Sequence, residues 1–341
     1  MMNFCTLFNA NYLIYGLSLY ESLKKTCPSF HLYIYAFDDS TYEYFLHKKL
    51  SYITVIKLEN FEDEALLNIK NSRSFGEYCW TCTPSVIRHA IQTFELDACT
   101  YVDADLYFFA SPQPLFDEMV DKSVLITEHR YSIRYDQSES SGIYCVQFMI
   151  FKNTEKGMAV LEWWRNACID WCYNRFEDGK FGDQKYLDDW LERFDTVHSL
   201  KHLGGGVAPW NVQQYHFKSL GDQIFGVENS TGKEFKLIFF HFHDLKYLEN
   251  NLVRLTNEIY IIPVSAFNHI YKKYLKESLN ILFFENTFSF LSKLPHNYFS
   301  NIPMMPVLAK LKTQYFIDAF KLKQFFRLFT GGNYYSFTKF K

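Results

Sequence analysis

The chain has 341 residues, 48% of them hydrophobic and 21% charged, which is enough apolar material for a full core in one large domain with an appendage or two modest domains. Its formal charge of −3 excludes the basic surface that a nucleic-acid partner demands, so no nucleic acid is expected. Aromatic residues reach 19% but are spread along the whole chain, which points to packing rather than to a particular ligand.

The N-terminus lacks a basic start, and Asn3, Asn9 and Asn11 interrupt its apolar residues, so no signal peptide is expected. Eight scattered cysteines then read as free thiols in a reducing, cytoplasmic setting. Cys79 and Cys82 have no second pair at zinc-ribbon spacing and read as buried structural thiols. No apolar run approaches the ~18 residues of a membrane span.

Strand and helix signals alternate over residues 1–110. Residues 4–8 form a short apolar run ending in Asn9-Ala10-Asn11, and Leu13, Leu17, Tyr20 and Leu23 follow at helical spacing. A second strand, 31–37, stops at Asp38-Asp39, and a third covers 52–58. Thr83-Pro84 reads as the N-cap and first residue of a helix lined by Ile87, Ala90, Ile91 and Phe94, with His89 toward solvent. Residues 99–102 are the next strand. Such β-α-β units predict an α/β fold with a mostly parallel sheet flanked by helices, in which ligands bind beyond the carboxyl ends of the strands. Further strands are expected at 123–127, 145–151 and 237–242, a long helix at 155–174 and a short helix from about Asp183. Gly204-Gly205-Gly206 reads as a flexible point.

The strongest chemical signal is Tyr101-Val102-Asp103-Ala104-Asp105-Leu106, where an apolar strand runs into two carboxylates separated by one small residue. Two carboxylates sit beside an anionic diphosphate only with a divalent cation between them, and Mg²⁺ or Mn²⁺ suits such oxygen ligands. On its own the pattern is equally compatible with an ordinary acidic turn.

After a β-α-β start, Asp103-Ala104-Asp105 resembles the DxD motif of glycosyltransferases of the GT-A (Rossmann-like) type. Three further segments are similar to glycosyltransferase family 8, in the same order. Leu7-Phe8-Asn9-Ala10-Asn11-Tyr12 resembles the loop where the nucleotide docks, and Phe181-Gly182-Asp183-Gln184 resembles the segment beside the reacting sugar. Phe240-His241-Phe242-His243-Asp244-Leu245-Lys246 resembles the terminal metal-binding His and phosphate-binding Lys. A closer similarity is to bacterial nucleotide-diphospho-sugar transferases, at 77–81, 101–112, 181–190 and 209–211.

The resemblance implies a GT-A catalytic domain over 1–262, with a nucleotide-binding half at 1–110, an acceptor and sugar half at 111–262, and a helical basic extension at 263–341. It implies Mn²⁺ or Mg²⁺ on Asp103, Asp105 and His241, with His243 the alternative on the same strand face. The donor, a nucleotide sugar with UDP-sugar expected, would meet Leu7, Asn9, Asn11, Tyr12, Asp38, Asp103, Ala104, Asp105, Gln147 and Lys246. Asp183 and Gln184 would act at the reacting carbon, although Asp183 also reads as a helix N-cap. Trp210 and Asn211 would touch the donor or a glycan or lipid-linked acceptor. Where the family carries Asn-x-Gly, this chain has Cys145-Val146-Gln147, so Gln147 stands in for the amide, the donor sugar differs, or turnover is weakened. A sugar-phosphate nucleotidyltransferase would need a Gly-rich, Arg-containing loop that Phe8-Asn9-Ala10-Asn11 lacks. A nucleotide-sugar or glycan-binding protein with little turnover remains the other reading.

Residues 306–341 carry seven Lys or Arg against Asp318 alone, a local charge of +6 that leaves the rest of the chain at −9. Leu308, Leu311, Tyr315, Ala319, Leu322, Phe326 and Phe329 form one helical stripe. A basic amphipathic helix of this kind is expected to lie peripherally on the inner face of the cytoplasmic membrane, near a cell-surface polysaccharide or lipopolysaccharide acceptor.

Overall fold

The computed structural model describes residues 1–248, 252–284 and 333–336, which divide into two compact units, Met1–His241 and Phe242–Lys341. In the first, strands β1 (Met2–Phe8), β2 (Phe30–Ala36), β3 (Ile53–Lys57) and β4 (Ala98–Val102) run parallel. Beyond them, β6 (Val124–Glu128) and β8 (Val197–Ser199) pair parallel with each other, and β7 (Tyr144–Lys152) is antiparallel to both β4 and β6. The order β3-β2-β1-β4-β7-β6-β8 makes one seven-stranded, mostly parallel sheet flanked by helices, as the GT-A resemblance implies. Eight consecutive residues of β7, from Tyr144 to Phe151, are buried, the signature of a strand covered on both faces.

On one face Cys5, Leu7, Tyr35, Met149 and Phe151 pack on α4 (Phe75–Thr93) and α7 (Glu155–Asp170); the chain forms α1 (Leu13–Thr26), α2 (Asp39–Lys48) and α3 (Glu64–Lys70) before α4, and α5 (Gln113–Asp117) and α6 (Ser138–Ser141) between α4 and α7. On the other, Phe4, Phe108, Phe116, Phe148 and Phe239 form an edge-and-stack cluster with centroids 5.3–6.5 Å apart. Phe108 and Phe239 come from a two-stranded antiparallel ribbon, β5 (Leu106–Phe108) against β12 (Phe239–His241), and this packing fixes the ribbon on the sheet.

Several sequence expectations change. Helix α4 begins nine residues before Pro84, because Ser74 and Glu77 form a capping box at its start. Pro84 sits inside the helix, and the Thr83 hydroxyl bonds the Cys79 carbonyl there. His89 faces inward, 2.8 Å from the Tyr35 hydroxyl, and burial holds its imidazole below the ordinary value. Helix α7 ends at Asp170, and the segment after Asp183 is a 3-10 turn, Lys185–Asp189, leading into α8 (Trp190–Arg193). The strand expected at 237–242 shortens to β12, which ends at His241, so His243 does not share its strand.

The triple glycine is a point of closest packing, not of flexibility. A Cβ on Gly204 would lie 1.9 Å from the Lys236 carbonyl oxygen, and Gly206 adopts a left-handed φ of 89°. Without side chains, residues 204–207 run directly beside 238–241: Ile238 donates to Gly204 and His241 to Val207, both at 2.9 Å. Unanticipated from the pattern were α2, α3 and the antiparallel sheet of β9 (Tyr215–Leu220), β10 (Gln223–Glu228) and β11 (Glu234–Lys236).

In the second unit, β13 (Lys246–Leu248), β14 (Leu252–Arg254) and β15 (Tyr334–Ser336) form an antiparallel sheet. It also holds α9 (Val264–Ala266), a π turn and α10 (Lys272–Phe284), and Phe242 stacks on Tyr274 at 3.8 Å. The basic amphipathic stripe expected at 308–329 lies outside the described residues. Among those described, no helix is long and apolar enough to cross a membrane.

Two glycine substitutions should have opposite signs. Gly204→Ala drives a methyl into a backbone carbonyl and is expected to destabilise by about 3 kcal/mol. Gly76→Ala meets nothing within 4 Å in the first turn of α4 and should be neutral or stabilising by up to about 1 kcal/mol. Denaturant midpoints measure both; equal midpoints would show that residues 204–207 are not held against 238–241.

Candidate metal centre

Strand β4 ends at Val102, and the next residues make a tight turn: Asp103 donates its N–H to the Gln147 carbonyl on β7, and Leu106 donates to the Asp103 carbonyl. The turn brings both carboxylates to the carboxyl end of the sheet's middle strand. Leu106 then pairs in register with His241, which carries the imidazole across to them. His241 Nε2 lies 3.0 Å from Asp105 Oδ1 and 3.8 Å from Asp103 Oδ2. One ligand atom from each of the three residues falls within 4.8 Å of the others, and this is the one such metal-capable group among the described residues. Asp105 and His241 are buried, whereas the Asp103 side chain is 30% exposed and forms the open side.

The electrostatics follow from that crowding. Burial pushes the Asp103 carboxyl up to about 6; His241 opposes the rise, Asp105 adds to it and the Tyr101 hydroxyl, donating at 3.0 Å, relieves it. Burial also disfavours charge on His241, but Asp105 and Asp103 outweigh it and hold the imidazole well above its ordinary value. The carboxylates thus draw positive charge to this point, the kind of site that suits a divalent cation. The donor set of one nitrogen and two carboxylates suits Mn²⁺ or Mg²⁺.

Asp183 sits close by, 5% exposed. Gly182, with φ of 52° and the Trp80 ring 3.4 Å from the position of its absent Cβ, sets the turn that places it. Burial and then the charge of Asp103 push the Asp183 carboxyl up to about 8, against hydrogen bonds from its own N–H and the Thr83 hydroxyl.

No family model matches the chain. Over 244 residues it is 30% identical to the uncharacterized protein YfnD of Bacillus subtilis (strain 168), across 70% of this chain and 76% of that protein. The chain belongs to the YfnD family. The uncharacterized protein YfnF of the same organism is 29% identical over 280 residues, 80% of this chain and 91% of that protein. Among solved structures, the YfnD-family chain is similar to mouse xyloside xylosyltransferase 1, at 14% identity and a TM-score of 0.41 over 58% of this chain and 84% of that one. It is also similar to the galactosyltransferase LgtC, at 12% identity and a TM-score of 0.38 over 58% and 73%. A third is the glycosyltransferase GlyE of Streptococcus pneumoniae TIGR4, at 15% and 0.41 over 60% and 46%.

The remaining expected site residues of this YfnD-family chain fall into three groups. Leu7 and Ala104 are buried at the strand ends, Asn11 and Tyr12 are exposed, and Asn9 caps their turn by accepting from the Asn11 N–H. Both oxygens of Asp38 are engaged, by the N–H groups of Ala10 and Thr41, so it ties the first loop to the start of α2. Gln184 donates to the Ser141 carbonyl at 2.6 Å, binding its turn to α6. Lys246 belongs to the second unit, where it lies 3.4 Å from Asp244.

Three further expected site residues are buried. Asn211 is fully buried and its amide serves the backbone of Gly206, Ala208 and His129, so it shapes the loop. Trp210 is buried with its edge toward His241, centroids 5.3 Å apart, and its indole N–H is held by the His129 carbonyl. Gln147 is fully buried and turns to His241 rather than outward. Two residues at the site, Thr83 and Tyr101, are not among those expected; alternation along β4, which puts Tyr101 on the same side as Asp103, is the signal that finds the latter.

Asp183 yields a pH prediction. Its folded-state value near 8 lies above the ordinary 3.8, so between those limits the native chain keeps a proton that the unfolded chain releases. Stability is therefore lost as pH rises. In metal-free buffer Asp183→Asn, which keeps the shape of the protonated acid, should remove a loss approaching about 1.4 kcal/mol per pH unit between pH 5 and 8. Parallel urea-stability profiles for the two proteins would contradict this.

Proposed function

We propose that this YfnD-family protein is a metal-dependent glycosyltransferase that moves a sugar from a nucleotide-diphosphate sugar, with UDP-sugar the expected donor, onto a glycan acceptor of the bacterial cell surface. The observation that carries the proposal is the Asp103–Asp105–His241 cluster at the carboxyl end of β4, the place where an open α/β sheet binds its ligand. The three side chains would hold Mn²⁺ or Mg²⁺, and the cation supplies positive charge to the donor diphosphate as the glycosidic bond breaks.

The chain's own residues account for the other requirements. The first loop, Asn9 to Tyr12, stands at the end of β1 and is tied to Asp38 through the Ala10 N–H, with Asn11 and Tyr12 exposed where the nucleoside would dock. Asp183 and Gln184 serve the reacting carbon: a buried carboxyl that is uncharged at neutral pH hydrogen-bonds sugar hydroxyls without opposing the diphosphate's negative charge. Lys246 is the residue proposed to meet the leaving diphosphate. Asp244, its present partner, also binds Arg254 at 2.8 Å, so it stays neutralised if Lys246 moves away.

Asp105→Ala is expected to abolish Mn²⁺-dependent binding across a panel of nucleotide sugars measured by calorimetry. Unchanged affinity would overturn the metal assignment. Gln184→Ala should bind donor normally and turn over at least about tenfold more slowly, some 1.4 kcal/mol of barrier. Donor binding in the unaltered protein with no hydrolysis or transfer for any nucleotide sugar would instead make it a binding protein.

A further inference from the structure

Gln147 occupies an expensive position for an amide. It is fully buried in the middle of the sheet, and its Nε2 has no hydrogen-bond partner. Burying a polar atom without a partner is unfavourable, and a methionine would fill the same volume without that penalty. The other end of the side chain explains the residue. Gln147 Oε1 lies 3.0 Å from His241 Nδ1, and an amide oxygen only accepts, so the imidazole carries its proton on Nδ1 there. Nε2 is then the nitrogen turned to Asp105 and Asp103. The same residue's backbone carbonyl accepts the N–H of Asp103 at 3.0 Å.

We propose that Gln147 is the positioning residue of the metal centre: one residue of β7 fixes the backbone of Asp103 and the tautomer and ring orientation of His241. The inference rests on the metal reading of the cluster. The pairing of β5 with β12 brings His241 beside Asp105, and Gln147, bonded both to the backbone of Asp103 and to the ring of His241, sets the orientation that this pairing leaves open. Trp210, edge-on at 5.3 Å, blocks rotation of the ring from another side. A support of this kind tunes affinity, because a ligand held in the wrong tautomer must reorganise before it binds.

The test is Mn²⁺ titration of the full chain, without nucleotide, by calorimetry for the unaltered protein, Gln147→Met and Gln147→Glu. The methionine keeps the volume and loses the acceptor; the glutamate keeps an acceptor. Mn²⁺ affinity should fall roughly 10- to 100-fold in Gln147→Met and stay within about threefold of the unaltered protein, or improve, in Gln147→Glu. Absence of binding in the unaltered protein contradicts the metal reading itself. Binding there with equal affinity in Gln147→Met, or equal loss in both variants, overturns the positioning role alone. Should either variant fail to fold, imidazole ¹⁵N shifts of His241 in the Mg²⁺-loaded unaltered protein decide: a proton on Nδ1 is expected, and a proton on Nε2 overturns the proposal.

Discussion

Leu106 faces His241 across a three-residue antiparallel ribbon, and from that register everything at the centre follows. The carboxylates of Asp103 and Asp105 leave the sheet one residue apart, where burial and mutual repulsion would otherwise favour their protonation. The ribbon brings an imidazole to within 3.0 Å of Asp105, and the charge it takes up opposes the rise of the Asp103 carboxyl. A cluster with this charge pattern and with one ligand atom from each residue within 4.8 Å of the others has the chemistry for a cation. Replacing a shared proton by a divalent ion changes the occupant without requiring the ligands to separate.

The scaffold around the ribbon explains why the register holds. Phe239 stacks on Phe148 and meets Phe108, so the ribbon is anchored to the sheet by aromatic area rather than by hydrogen bonds to a neighbouring strand. On its far side, residues 204–207 approach so closely that only glycine fits at Gly204. The opposite face, with Trp164, Trp190 and the buried length of α4, carries most of the unit's packing and supplies Thr83 and Trp80 to the turn that bears Asp183. Packing on both faces of the sheet thus converges on the carboxyl ends of β1 and β4.

Much of this was legible in the sequence. Apolar runs ending in polar turns gave the strands of the parallel half, and Asp103, Asp105 and His241 were named from their placement at strand ends and from the family resemblance. What failed did so for identifiable reasons. Pro84 signals a helix start in local chemistry, but the Ser74–Glu77 capping box upstream is the stronger signal, and a proline within a helix is tolerated here where the Thr83 hydroxyl bonds a nearby carbonyl. Three successive glycines suggest freedom in the sequence, whereas in the fold Gly204 answers a steric demand made by the Lys236 carbonyl and its two neighbours are crowded by Leu115, Thr127, Arg130 and Leu200. Trp210, Asn211 and Gln147 carry the polar and aromatic chemistry of sugar contacts, and the sequence gives no sign that all three are buried with their polar atoms turned to His129, Gly206 and His241. The composition of a site is readable in one dimension; the distinction between the residues that touch a ligand and those that hold them is not.

Anomalous diffraction from crystals grown with Mn²⁺ and UDP tests the central claim most directly. The account predicts a single strong manganese peak bonded to Asp103, Asp105 and His241 Nε2, with the diphosphate completing its shell from the open side of Asp103. A manganese peak elsewhere, or UDP bound with no metal at this cluster, would contradict it.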